Sequence, residues 1–117
     1  MCGQREINKR LQRDMNPGTL KLLESKGCNL STTITILNVF YLNRAGVINE
    51  FIELLKNHNF HISKEMVSSS SNDPSVLCLK AEILLLPTCE NINNMTDTCI
   101  DIAEQVGADY DGWYTEI

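Results

Sequence analysis

Few residues in this chain could carry out chemistry. Two histidines stand at His58 and His61, in H-N-F-H. Such a pair becomes a zinc site only with further Cys, His or acidic ligands, and none lies close in sequence. The simpler reading is a helix end followed by an exposed or half-buried imidazole. Asp109-x-Asp111-Gly112 echoes a calcium loop, but that loop's first Asp and distal Glu are missing. Cys2, Cys28, Cys78, Cys89 and Cys99 include no C-x-x-C pair. Cys78 and Cys99 fall inside apolar patterns, so the expectation is reduced thiols, three of the five buried. No glycine-rich phosphate loop and no G-x-S-x-G elbow occurs, and Cys and His are not arranged as nucleophile and base. The chain is read as a non-enzyme with no metal and no cofactor.

Charge is the stronger signal. Residues 1–26 carry six Lys or Arg against three acids, whereas residues 81–117 carry eight acids and no Lys, Arg or His. A field of that sign repels phosphate backbones and attracts basic surfaces, so direct nucleic-acid binding is not expected. Asp97, Asp101 and Glu104 recur at i, i+4 and i+7 on one helix face, and Asp109 and Asp111 follow. Two readings stand for this row: a solvated face, or a surface for a basic protein partner.

The last eleven residues, Gly107 to Ile117, hold the only Trp and two of the three Tyr. Aromatic side chains bury large areas, so this stretch is expected to close a sheet as its final strand. Tyr110, Trp113 and Tyr114 either pack inside or serve as exposed anchors, for which Trp and Tyr are suited. Gly112 within a strand indicates a bulge or a close backbone approach; the alternative is a tight Asp111-Gly112 turn.

The elements that must position these residues follow from periodicity. Residues 5–26 read as helix, with Ile7, Leu11 and Met15 on one apolar face. Asn16-Pro17 interrupts it: Asn is a good N-cap and Pro suits a first helical position, so a second helix is expected to start there and close at Gly27. Thr32–Leu42 is rich in Thr, Ile, Val, Phe and Tyr and reads as a strand, with Asn38 at a bulge or facing out. Residues 44–57 carry the helical stripe Val47, Ile48, Phe51, Ile52, Leu55, capped by Asn43. Phe60–Val67 reads as a short strand, Ser68–Pro74 as a polar connector, and Val76–Leu86 as a strand with Lys80 and Glu82 on its polar face. Asn91–Val106 is a helix buried along Ile92, Met95, Cys99, Ile102 and Val106, and stopped by Gly107.

This order implies an α+β fold: a ferredoxin-like βαββαβ sandwich with a four-stranded antiparallel sheet. Both amphipathic helices would cover one face, and the helices of residues 5–26 the other. At 117 residues the chain is expected to be one domain, 1–117, with a helical extension at 1–26 and a core at 32–117. No run approaches a membrane span, and the polar N-terminus has no apolar signal region, so a cytoplasmic location is expected.

Ala103 to Thr115, A-E-Q-V-G-A-D-Y-D-G-W-Y-T, resembles the closing segment of the ribonuclease E inhibitor RraB family. Its members end a helix and then read Y-D-G-W-G-T. Tyr110, Asp111, Gly112, Trp113 and Thr115 match, and Tyr114 stands where the family has its second Gly. The leading helix closing in L-L-E-x-x-G, Leu22 to Gly27, also fits. The resemblance implies a small bacterial, cytosolic α+β protein. Family members bind the basic, arginine-rich C-terminal region of ribonuclease E and slow RNA decay without chemistry of their own. On that basis the expected contact residues are Asp97, Asp101, Glu104, Asp109, Tyr110, Asp111 and Trp113. The rival readings are a small-molecule-binding module and an immunity or stress protein on the same fold.

Overall fold

Alternating β-branched and aromatic residues make the centre of the sheet. In a computed structural model, which describes residues 3–43, 45–62, 67–69 and 75–116, the strand β1 (Ile34–Leu42) pairs antiparallel with both β3 (Leu77–Leu85) and β4 (Asp109–Tyr114). A short strand β2 (Val67–Ser69) pairs with β3, giving the order β2-β3-β1-β4. Three helices complete an α+β fold: α1 (Gly3–Ser25), α2 (Ile48–Asn57) and α3 (Cys89–Val106). No described helix is long and apolar enough to cross a membrane.

The core lies between the sheet and the helices α2 and α3. Ile36, Phe40 and Leu42 of β1 and Leu79 and Ala81 of β3 are fully buried, as are Phe51 and Leu55 of α2 and Ile92 and Cys99 of α3. The Phe40 and Phe51 rings meet edge to face at 5.1 Å, a favoured aromatic geometry. The opposite sheet face carries Thr35, Lys80 and the 68% exposed Leu84. The Thr88 hydroxyl caps α3 by accepting from the Asn91 amide at 3.1 Å, and Gly107, at φ 73°, ends it in the left-handed conformation.

Several expectations need correction. Helix α1 runs unbroken through Asn16 and Pro17. Pro17 removes one backbone donor, yet the chain stays helical because Asn16, Leu20 and Leu23 beside it are buried. Helix α1 lies against α3, not over the second sheet face. Asn38 is fully buried, neither bulged nor turned outward. Asn43 does not cap α2; Val47 holds that position without a side-chain bond, after a 3₁₀ turn at Ala45–Val47. Among the described residues of the strand expected at 60–67 there is an isolated His61–Glu82 bridge and, at its last residue, the start of β2. Residues 63–66, and 70–74 of the expected connector, lie outside the described residues. Among the described cysteines Cys99 is buried, Cys28 and Cys78 are half-buried and Cys89 is exposed, all as free thiols.

The unbroken helix makes a specific prediction. Pro17 is exposed, and an interior proline costs a helix about 3 kcal/mol through the lost donor and a clash one turn back. Pro17→Ala should therefore raise the unfolding free energy by about 1–3 kcal/mol in urea titration; a neutral or destabilising effect would mean that the helix starts anew at Asn16.

Candidate functional site

Helix α3 is buried on two sides, and this decides the surroundings of its acidic row. Ile92, Met95, Cys99 and Ile102 face the sheet core, while Thr96 and Asn93 face α1 through hydrogen bonds. Helix α1 runs antiparallel to α3 and brings one cation to each acid. Arg13 grips Asp97 through two nitrogens, Nε donating to Oδ1 at 3.2 Å. Lys9 Nζ lies 2.8 Å from Asp101 Oδ1, and Arg5 Nε 3.4 Å from Glu104 Oε2 and 3.7 Å from Asp101 Oδ1. Arg5 Nε makes no directed hydrogen bond and acts there as a point charge. The Asp97 carboxylate, by hydrogen bond and then by charge, raises the Arg13 pKa above its ordinary value. The row is thus not a bare solvated face: the protein's own basic helix is seated on it.

Below these pairs lies a buried amide. Asn16 is fully buried. Its Oδ1 accepts from Gln12 Nε2 at 3.0 Å and from Trp113 Nε1 at 3.0 Å. Its Nδ2 donates to Asn93 Oδ1 at 2.9 Å and to Thr96 Oγ1 at 3.2 Å. One side chain of α1 is tied to α3 and β4 at once. A second buried amide repeats the theme: Tyr110 Oη donates to Asn38 Oδ1 at 2.7 Å, and Asn38 Nδ2 reaches Met95 Sδ at 3.5 Å. Burial first, then the neighbouring Cys99 and Asp111, pushes the Tyr110 phenol well above its ordinary range. Burial likewise raises the Cys99 thiol, so both groups are held protonated.

Tyr110 and Trp113 are three residues apart, so a regular pleat would send them to opposite faces. A bulge prevents this. Phe40 pairs with Tyr110, but Val39 pairs with Gly112 and Asn38 with Trp113, which leaves Asp111 as the extra residue. Both aromatic rings therefore turn inward, over Phe40 and Asn38. Gly112 sits at φ 116°, a conformation that suits a residue without Cβ. The bulge reading of Gly112 holds, and the tight-turn alternative does not.

The expected contact residues thus divide into three groups. Asp97, Asp101 and Glu104 are ion-paired within the molecule. Trp113 is 9% exposed and Tyr110 is half-buried with its hydroxyl engaged, so neither stands out as an anchor. Asp109 and Asp111 are exposed, with no hydrogen bond or ion pair to their carboxylates among the described residues. Thr115 Oγ1 donates to the Thr35 carbonyl at 2.6 Å and ties the end of β4 to β1; Lys80 Nζ lies 5.7 Å from the Tyr114 ring centroid. Beside Asp109 opens a groove of about 430 Å³, walled by Leu11 and Met15 of α1 and by Ile100, Ala103, Ala108 and Tyr110. It is an open cleft, not the closed pocket expected of a small-molecule sensor. Among the described residues no three or more His, Cys, Asp or Glu are grouped to hold a metal ion.

Sequence reasoning missed Asn16, Asn93 and Thr96 as a hub. It also missed the match between Arg5, Lys9 and Arg13 and the acidic row, although their i, i+4, i+8 spacing was a readable signal.

Comparison with known proteins gives one informative result. The family model described as RraB, regulator of ribonuclease activity B, matches residues 13–115. The match takes in Asn16, the acidic row and the Tyr110–Trp113 segment, and leaves out Arg5 and Lys9. No curated protein matches the chain.

Two substitutions test this geometry. Asn16→Ala strands the Trp113 indole and the Asn93 and Thr96 side chains, and should cost about 2–4 kcal/mol of stability in chemical denaturation. Gly112→Ala should cost about 1–3 kcal/mol through backbone strain, with a loss of near-ultraviolet circular dichroism as the Trp113 ring shifts; an unchanged stability and spectrum would deny the bulge its role.

Proposed function

Because this chain belongs to the RraB family of regulators of ribonuclease activity, we propose that it is a protein-binding regulator whose acidic surface takes a basic segment of ribonuclease E and so modulates RNA degradation. The observation that carries the reading is the pair of exposed carboxylates Asp109 and Asp111, which no described cation neutralises. Asp97, Asp101 and Glu104 are already neutralised by Arg13, Lys9 and Arg5 of this chain, which counts against the row as a free surface and leaves the direct contact to β4. The partner meets Asp109 and Asp111 directly and reaches the other three acids only by exchange with Arg13, Lys9 and Arg5. Tyr110 and Trp113 act from beneath, by fixing the strand that presents the acids. Gly112 and Thr115 fix its shape and its end.

On the same reading the chain is one unit: a ferredoxin-like βαββαβ core over 32–117 with a helical extension over 1–26. The element order and the sheet order β2-β3-β1-β4 support it. The role is cytoplasmic and bacterial, and it requires no catalysis, no cofactor, no membrane and no direct contact with nucleic acid.

The test is calorimetric titration of the full chain with the basic C-terminal segment of ribonuclease E. Exposed charges are screened beyond about 10 Å at 0.1 M salt, so binding should be clear at low salt and should weaken steeply as salt rises. Asp109→Asn with Asp111→Asn should weaken it several-fold. No binding at low salt, or binding indifferent to salt, would reject the reading.

A further inference from the structure

Strand β4 ends the sheet, with β1 as its one strand neighbour. Among the described residues no backbone group outside β1 bonds to the Asp109–Tyr114 backbone. An edge of this kind offers a row of free donors and acceptors to another chain. The groove walled by Leu11, Met15, Ile100 and Ala103 runs beside it, with Asp109 and Tyr110 on its lip. The cleft is mixed, with Gln4, Arg5, Asn8, Gln12 and Glu104 lining it beside these apolar side chains, and an edge strand beside such a cleft is an arrangement that admits an added strand.

Helix α1 contributes to this in an unusual way. It lies on α3 by its charged side, so Leu11 and Met15 are 55% and 56% exposed. An apolar ridge is thereby left over the groove, where an added strand could cover it. The charges select the occupant. Antiparallel pairing of β4 with a second copy in the register centred on Tyr110 would set Asp109 opposite Asp111, and like charges across a strand pair are destabilising. A strand carrying cations meets the same two carboxylates favourably.

We propose that β4 is a receiving edge, to which a partner segment alternating basic and aliphatic residues adds as a further strand. Its cations lie by Asp109 and Asp111, and its aliphatic side chains enter the groove under Leu11 and Met15. The inference rests on the reading of a basic protein partner and adds the conformation and residue pattern of the bound segment.

The experiment uses the full chain and a short synthetic peptide alternating arginine and valine, followed by amide hydrogen exchange and titration. Amides of Asp109–Tyr114 should gain protection, and a peptide of equal composition with its arginines in one block should bind more weakly. N-methylation of alternate peptide amides should abolish binding. Asp109→Lys with Asp111→Lys, both at exposed positions and with the fold checked by near-ultraviolet circular dichroism, should lower affinity by about tenfold. Undiminished binding of the N-methylated peptide, or protection appearing on α3 instead of β4, would overturn strand addition. A ribonuclease E segment that binds without protecting β4 would sink this inference and leave the regulatory reading standing. Addition of the alternating peptide with no binding of any ribonuclease E segment would do the reverse.

Discussion

One buried amide sets the relation between the two helices and the last strand. Asn16 has two donors and one acceptor oxygen, and the structure uses them fully: Asn93 and Thr96 take the hydrogens, Gln12 and Trp113 share the oxygen. A buried polar group left without partners is costly, so any slide of α1 along α3 orphans several groups together. Leu20 and Leu23 bury area on the same side of α1 but would tolerate small shifts, since apolar contact is non-directional. The register belongs to the amide, and the charges inherit it. With Asn16 placed, Arg13, Lys9 and Arg5 follow at successive turns, each opposite an acid of α3.

Helix α1 consequently has two unlike halves. From Asn16 onward it is held by burial and directed hydrogen bonds. Before Asn16 it is held by ion pairs whose side chains are 20% to 54% exposed. Pairs this open to water contribute little each. Ile7, Leu11 and Met15 are 41%, 55% and 56% exposed, so they add little to docking, although Leu11 and Met15 line the groove beside α3. The first half is therefore the less firmly attached one, and it covers Asp97, Asp101 and Glu104.

Much of this fold was legible because periodicity and burial agree. The stripe of α2, the buried side of α3 and the alternation of β3 all follow from side-chain spacing against one core. What escaped depends on partners distant in sequence. Asn16-Pro17 carries the local signature of a helix start, and local rules alone favour a break there. The contacts that override it come from Asn93, Thr96 and Trp113, about eighty to a hundred residues away. Asn38 misled for the same reason: a lone amide in an apolar strand looks like an outward residue until Tyr110 Oη supplies its partner. The acids of α3 are legible from their spacing, but their counter-charges stand in the N-terminal helix, more than eighty residues away in sequence.

The strand Asp109–Tyr114 joins interior and surface in six residues. A regular strand could turn only one of its two aromatic rings toward the buried amides. The extra residue at Asp111 turns both inward, and the same step carries the Asp111 carboxylate outward beside that of Asp109. The rings hold Asn38 and Asn16, while the acids between and beside them meet solvent. Loosening the bulge would release both rings from their amides and move the Asp111 carboxylate. The bulge thus couples the placement of the two exposed carboxylates to the packing of the two rings beneath them.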